Sequence, residues 1–169
     1  MLEIHIGPSR EIGMVFTRRE RIVYEEPYHV EGTHAASRRT VIFEDDGDSA
    51  WLYLTGPNSY KPVATCWVYN RVEAPSVKEI AKYMDGPPPA CKGYIANVKP
   101  PNIPEYPAVE FIWSDSGNSV AIVVYGVLKC YVSSEWRDGW SRDVVADGPF
   151  GKPWSHEAWT EVNDRRKLP

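Results

Sequence analysis

The chain has 169 residues, of which 43% are hydrophobic and 25% charged, and it carries a formal net charge of −4 with a sequence pI near 5.6. This composition is that of an ordinary globular protein, and it excludes a disordered chain, a membrane-spanning protein and a strongly basic nucleic-acid-binding protein. Three widely spaced cysteines predict reduced thiols, and the first residues lack the pattern of a secretory signal, so we expect a cytoplasmic protein.

The first quarter of the chain predicts short strands followed by a loop. Residues 2–6 alternate apolar and polar side chains, and residues 12–16 and 21–24 form a second pair of apolar stretches around a charged turn. Residues 25–39 are polar and contain a proline and a glycine, so we interpret them as a loop.

A nine-residue motif, which we call the repeated phrase, then occurs twice. Residues 42–50 have the sequence IFEDDGDSA and residues 112–120 have IWSDSGNSV, at a constant offset of 115 − 45 = 70 residues. An aromatic strand, a polar turn with a glycine and a second apolar strand predict a β-hairpin in each place. Asp45 and Asp115 occupy the same position in the two copies. Their simplest role is that of turn formers whose side chains accept backbone N–H bonds.

A third strand at 63–72 is expected to pack on the first hairpin, because its residues are β-branched and aromatic. Ser76 and Glu79 have capping-box spacing and predict a short helix at 76–85. Seven prolines between 86 and 107 predict an insertion, at 73–108 with the helix, that covers or extends a sheet.

The second half predicts a meander of strands at 109–114, 120–125 and 127–132, and a final helix capped by Ser155. We therefore predict a single domain over residues 1–169. Its class is α+β and mainly β, with an antiparallel sheet of hairpins and meander, a short inserted helix and a C-terminal helix.

Motifs for catalysis are absent from the sequence, which has no nucleophile elbow, no zinc-protease motif, no phosphate-binding glycine loop and no dinucleotide fingerprint. The histidines are scattered, and no cysteine has a visible partner. We predict no catalytic residues, no metal and no cofactor. An enzyme stays an alternative, with an acid–base pair drawn from Glu26, Asp45, Asp115 and His34.

Two segments are candidates for contact with a partner. The first is the acidic turn, in which Asp45, Asp46 and Asp48 could serve the turn, a protein contact or a cation. The second is the segment 134–143, where tryptophan alternates with charge. Its side chains Trp136, Asp138 and Trp140 have a hot-spot composition, but the two tryptophans are also spaced for one helical face and could fill the core.

The phrases at 40–72 and 109–132 resemble a family of small, uncharacterised bacterial β-rich proteins. Members of that family carry a Phe-Glu-Asp-Asp-Gly-Glu-Thr hairpin, a Tyr-Asn strand end and a later Ile-Val-Trp-Ser-x-Asp-Gly hairpin. This chain departs from the pattern by its segment at 73–108 and by its N-terminal strands. The architecture is also similar to that of immunity proteins, which are cytosolic antagonists of secreted bacterial toxins.

The function that we predict is that of a non-catalytic immunity-type protein, which neutralises a cognate toxin domain by occluding its active site. Acidic side chains would speed the encounter with a basic cleft, and Trp136 or Trp140 would fill it. The alternative is a domain that binds a small molecule or a sugar in an aromatic cleft between the hairpins.

Overall fold

The computed structural model describes residues 22–83 and 85–163, with side chains up to residue 160. Within these residues the chain forms nine strands, one 3₁₀ helix (Val77–Tyr83) and one α-helix, α1 (His156–Asn163). The strands are β1 (Tyr28–Thr33), β2 (Thr40–Asp45), β3 (Ser49–Thr55), β4 (Pro62–Asn70), β5 (Val109–Trp113), β6 (Ser119–Val124), β7 (Val127–Ser133), β8 (Asp138–Ser141) and β9 (Lys152–Pro153). The strands predicted at 2–6 and 12–16 lie outside the described residues.

The strands form two sheets. The first has the order β1-β2-β3-β4 and is antiparallel throughout. The second has the order β5-β6-β7-β8-β9 and is antiparallel except for the last pair. The predicted class is confirmed, since the chain is mainly β, is built of hairpins and meanders, and has only short helical pieces.

Both copies of the repeated phrase form hairpins, but the two hairpins close at different positions. In β2–β3 the N–H of Asp46 donates to the carbonyl of Ser49 at 3.2 Å, which leaves a two-residue loop. In β5–β6 the N–H of Ser114 donates to the carbonyl of Ser119 at 3.0 Å, which leaves a four-residue loop. The sequence offset of 70 residues therefore relates equivalent positions on the second strand of each hairpin, where Ser49 and Ser119 both accept the closing bond, but not on the first strand.

The shift separates the two repeated aspartates. Asp45 pairs with Ala50 inside the strand ladder and is fully buried, whereas Asp115 is exposed in the loop. The repeated glycines do share a role, because Gly47 has φ of 93° and Gly117 has φ of 74°, which is the left-handed region that favours glycine.

The two sheets pack face to face around a shared core. Its fully buried side chains include Val41, Phe43, Leu52, Leu54, Cys66, Val68, Ile122, Cys130 and Val132. At Gly139 of β8 the two backbones come so close that a Cβ would lie 2.5 Å from Cβ of Cys66 and 2.6 Å from the carbonyl oxygen of Thr65. Only a residue without a side chain lets β8 approach β4 in this way.

The insertion at 73–108 covers the outer face of the first sheet. Trp51 packs there with buried residues of the insertion, and its Nε1 donates to the carbonyl of Pro88 at 3.1 Å. The side chain of Asn70 exchanges two hydrogen bonds, of 2.8 and 3.0 Å, with the backbone of Ala90. These bonds fix a proline-rich segment that has almost no regular structure of its own.

Helix α1 covers part of the outer face of the second sheet. Tyr131 and Trp140 project from that face and pack against Ala158 and Trp159. Ser155 accepts the N–H of Ala158 through its Oγ at 3.1 Å, so it caps the helix as predicted. Within the described residues, no helix has the length and apolarity needed to cross a bilayer.

Residues 25–39 are not only a loop, because β1 lies within them. Tyr28, Val30 and Gly32 alternate with exposed residues, and the first two pack against the core. The prediction was wrong because β1 is an edge strand with three inward-facing positions, and one of these is a glycine. The alternation of apolar and polar side chains is therefore weak in the sequence. Residues 22–24, the described part of the strand predicted at 21–24, are irregular.

The predicted helix at 76–85 is a 3₁₀ helix. The Oγ of Ser76 donates to Oε1 of Glu79 at 2.9 Å, and the N–H of Ser76 donates to the same oxygen at 3.4 Å. These bonds lower the pKa of Glu79. No described residue of the helix is buried, and Val77 is 61% exposed, so this short element lies on the surface.

Candidate functional site

Asp45 is fully buried in an ion pair. Arg71 approaches it with Nε 2.8 Å from Oδ2 and with Nη2 at 2.8 Å from the same oxygen. The hydroxyl of Tyr69 donates to Oδ2 at 2.6 Å, and the N–H of Gly47 donates to Oδ1 at 3.0 Å. Asp45 is therefore not available to a partner, and the geometry supports the turn-forming role instead.

Arg71 extends this network to the insertion. Its Nη1 donates to the carbonyl of Ile103 at 2.7 Å, and its Nη2 donates to the carbonyl of Pro104 at 3.0 Å and to the hydroxyl of Tyr24 at 3.2 Å. Burial opposes the charge on Arg71, but Asp45 keeps the pKa of the arginine above its ordinary value. The pair thus holds the insertion against the end of the first sheet.

Asp46 and Asp48 lie half-buried at the β2–β3 turn. Oδ1 of Asp46 accepts the N–H of Asp48 at 2.9 Å and that of Ser49 at 3.0 Å. Burial, and then the charge of Asp46, raise the pKa of the neighbouring Glu44. The turn therefore concentrates negative charge, but in residues 22–83 and 85–163 no three His, Cys, Asp or Glu side chains are placed to hold a metal ion.

The two candidate tryptophans differ in exposure. Trp140 lies in β8, is 5% exposed, and stacks on Tyr131 with 4.8 Å between ring centroids and 12° between the planes. Trp136 lies in the β7–β8 turn, is 45% exposed, and meets Trp140 edge-on at 5.2 Å. The two tryptophans therefore lie in a turn and in the strand that follows it, and not on the one helical face that their spacing suggested. Trp140 is a core residue, and Trp136 is the accessible aromatic side chain.

Asp138 begins β8, two residues after Trp136. Its Oδ2 lies 2.9 Å from Nζ of Lys152, and this hydrogen bond raises the pKa of the lysine. The Asp138 side chain is 31% exposed, so it stays within reach of a partner while its charge is largely balanced.

Trp136 belongs to a surface that we call the turn end. It is formed by the four connections 34–39, 56–61, 114–118 and 134–137. Ser134 donates to the carbonyl of Asn118 from N–H at 2.8 Å and from Oγ at 2.9 Å, and Nε of Arg39 donates to Oδ1 of Asn118 at 3.1 Å. The N–H of Asn58 donates to the carbonyl of Arg38 at 2.9 Å. These bonds make the four connections one continuous surface.

The acidic β2–β3 turn lies at the opposite end of the first sheet. Successive turns of an antiparallel meander alternate between the two ends of the sheet, and the β1–β2 and β3–β4 connections both belong to the turn end. Asp46 and Asp48 are therefore separated from Trp136. The six predicted contact residues therefore leave two separate accessible pairs, Asp46 with Asp48 at the acidic turn and Trp136 with Asp138 at the turn end, while Asp45 and Trp140 are buried.

The turn end is basic overall. Its charged side chains are Arg38, Arg39, Lys61 and Arg137 against Asp115 and Glu135. Arg39 is held in place by Asn118 and by the carbonyl of Thr55, to which Nη1 donates at 3.0 Å. Tyr60, which is 70% exposed, adds a second aromatic side chain to this surface.

Within the described residues, no hydrogen bond or ion pair joins any two residues of the alternative acid–base pair, although His34 and Asp115 both lie at the turn end. Asp45 is bound by Arg71, while Asp115 and Glu26 are exposed in different connections. The ring of His34 lies 5.3 Å from that of Trp113 at the turn end.

A pocket of about 180 Å³ opens where the insertion crosses the end of β4. Trp67, Tyr69 and Asn70 of β4 form one wall, and residues of the insertion between 95 and 101 form another. Lys129 and Asp143 complete it. A single tryptophan lines this pocket, whereas the small-molecule alternative predicts an aromatic cleft between the hairpins.

The sequence patterns predicted neither the role of Arg71 nor this pocket. Arg71 directly follows the Tyr69-Asn70 strand end, and a lone cation at that place gives no signal until its carboxylate partner is known. The pocket residues are spread from 67 to 143 and share no spacing.

Comparison of the chain with models of known protein families, with curated proteins and with solved structures gave no match. The resemblance to a small β-rich family stays a prediction.

Proposed function

We propose that this protein binds a protein partner through the turn end, without catalysing a reaction, and that Trp136 is the anchor of the contact. More specifically, we propose that it is an immunity-type protein, which occludes the active site of a cognate toxin domain in the cytoplasm. The observation that carries it is the 45% exposure of Trp136 among charged turns. Tryptophan is among the residues that dominate binding energy at protein interfaces.

Trp136 has the rigidity that an anchor needs. Its ring rests on Trp140, which in turn stacks on buried Tyr131. Ordering a mobile side chain on binding costs about 0.5–1.5 kcal/mol, and a ring already held by the core avoids much of that cost. Arg137 has φ of 53° and continues the turn that presents the indole.

The charges around Trp136 suit a partner with an acidic or mixed rim, because the turn end has a basic excess. The basic cleft that we predicted for a toxin would instead complement Asp46 and Asp48. These two modes of contact use opposite ends of the first sheet. Substitutions at each end therefore distinguish them.

The test is co-purification of the full chain from its native host, together with growth of cells that co-express toxin domains encoded beside the gene. Trp136→Ala should lose both the stoichiometric partner and the protection of growth. Tyr125→Asn is the matched control, since Tyr125 is 51% exposed in the β6–β7 turn and asparagine tolerates its φ of 47°. Absence of any partner and of protection in the wild type would contradict the proposal, as would full retention of both by Trp136→Ala.

A further inference from the structure

The pocket beside β4 has polar groups that the protein contact at the turn end does not use. Its volume of about 180 Å³ is similar to that of an engineered cavity of ~150 Å³ that accommodates benzene. We therefore expect a ligand whose bound part has a similarly small number of non-hydrogen atoms.

Lys129 supplies a mostly buried positive charge to the pocket. Its side chain is 16% exposed, and its Nζ donates to Oδ2 of Asp143 at 2.8 Å. A lysine ammonium has three N–H donors, and this is the one bond that it makes to the described residues, so two donors are left for a ligand. The pairing also holds the ammonium at a defined place on the pocket wall.

Further donors lie around Lys129. Asn97 and Lys99 are exposed and have no hydrogen bond or ion pair to another described residue. Asn70 accepts from Nε1 of Trp67 at 2.7 Å and exchanges two bonds with Ala90, so one N–H of its amide has no acceptor among the described residues. Donors therefore outnumber acceptors in the pocket, where Asp143 is the one carboxylate among the lining residues.

The remaining wall of the pocket is apolar. The ring of Trp67 and the proline Pro101 offer flat surfaces, and buried Ile95 lies between the polar groups. A ligand that combines an anionic group with a short carbon skeleton would satisfy both parts of the pocket.

We propose that this pocket binds a small anion with a carboxylate or phosphate group, held by Lys129 and Lys99, with the rest of the ligand against Trp67. The inference stands independently of the contact at the turn end. Carboxylates and phosphates share the acceptor chemistry that the lysines recognise. The experiment distinguishes a phosphate ligand from a carboxylate ligand by using inorganic phosphate and butyrate as separate probes.

The test is a titration of the ¹⁵N-labelled full chain with inorganic phosphate, with butyrate and with butyramide, followed by NMR. We expect saturable shifts of the backbone amides of Asn97, Lys99 and Lys129 and of the Trp67 indole N–H with phosphate or butyrate. Butyramide has the same skeleton without the charge, and it should bind at least about tenfold more weakly, the effect of a charge-assisted hydrogen bond. Saturation by butyramide at the same concentration as butyrate, or no saturable shift with either anion, would overturn the inference.

Lys99→Met should raise the Kd of the bound anion about tenfold, because it removes one charge-assisted contact and keeps the aliphatic stem. Lys99 is exposed, so the variant should fold normally. Lys92→Met is the control, since Lys92 is an exposed lysine of the same insertion that does not line the pocket. An equal Kd in both variants would show that the effect comes from the loss of one positive charge anywhere on the insertion, or that Lys99 has no effect, and it would overturn the assignment of the site.

Discussion

Arg71 and Asp45 form a buried ion pair, with 2.8 Å between Nη2 and Oδ2 and with only 6% and 0% of their side chains exposed. Through Arg71 the pair joins the first hairpin to the carbonyls of Ile103 and Pro104 in the insertion. The conspicuous aspartate of the repeated phrase is thus a structural residue. Its bond to Arg71 adds to those of Trp51 and Asn70 in holding the proline-rich part of the insertion against the first sheet.

Asp45→Asn should lower the free energy of unfolding by about 3–5 kcal/mol, because it leaves a buried guanidinium without its counter-charge. Urea unfolding of the purified protein measures this change. Asp115→Asn is the control, since Asp115 occupies the repeated position in sequence but is exposed. Its effect should stay within about 0.5 kcal/mol. Equal losses in the two variants would contradict the difference between a buried structural Asp45 and an exposed Asp115.

Gly139→Ala should destabilise the packing of the two sheets by about 1–3 kcal/mol, because the new methyl group would collide with Cys66 and Thr65. The thermal unfolding midpoint reports this loss. Gly56→Ala provides the comparison, as a Cβ there would meet no atom closer than 3.8 Å. A normal midpoint for Gly139→Ala would show that β8 and β4 lie farther apart than described.

Trp140→Ala and Trp136→Ala should differ strongly in stability. Trp140 is buried and stacked on Tyr131, so its removal should cost about 3–5 kcal/mol. Trp136 is half-exposed, and its removal should cost about 1 kcal/mol or less. Chemical denaturation of both variants checks the pair. A large loss for Trp136→Ala would show that the residue is part of the core and would count against its proposed role as an anchor.

Glu44→Gln should stabilise the protein at neutral pH. Burial, and next the charge of Asp46, raise the pKa of Glu44 in the folded state above its ordinary value of 4.5. The fold therefore favours the protonated carboxyl, and this contribution is present below pH 4.5 and lost as the pH rises through the folded pKa. The urea midpoint of the variant should exceed that of the wild type at pH 7, and the difference should vanish near pH 4.

The control for this pH dependence is Glu110→Gln on β5, which is exposed on the other sheet. Its urea midpoint should follow that of the wild type at both pH values. A gain for Glu44→Gln that persists unchanged at pH 4 would show that its origin is not the titration of Glu44.

Local chemistry was sufficient to predict both hairpins, the third strand and the capped helix near Ser76. Each of these depends on residues close in sequence, such as the positive-φ glycines Gly47 and Gly117. The strand β1 was missed, since an edge strand packs one face only and includes Gly32. The spacing of Trp136 and Trp140 fits a helix, but a turn that folds back onto a strand brings the same pair together.

The candidate site was less predictable because it depends on register and on distant segments. The first hairpin closes with a two-residue loop and the second with a four-residue loop, so similar phrases bury Asp45 and expose Asp115. The buried position of Asp45 is tied to Arg71, which lies 26 residues away. The separation of Asp46 from Trp136 follows from the order of strands in the two sheets, which no local pattern encodes.

The proposed contact with a protein partner lies at the turn end and not at the acidic turn. The measurement is the Kd of the protein partner recovered by co-purification, for the wild type, for Trp136→Ala and for the double variant Asp46→Asn/Asp48→Asn. Asparagine at 46 keeps the oxygen that accepts the N–H of Asp48 and Ser49, so that double variant should fold. We predict that Trp136→Ala raises the Kd by about 30-fold or more, the effect of a hot-spot residue, and that the double variant changes it less than about threefold. A large loss of affinity in the double variant, with none in Trp136→Ala, would contradict the claim.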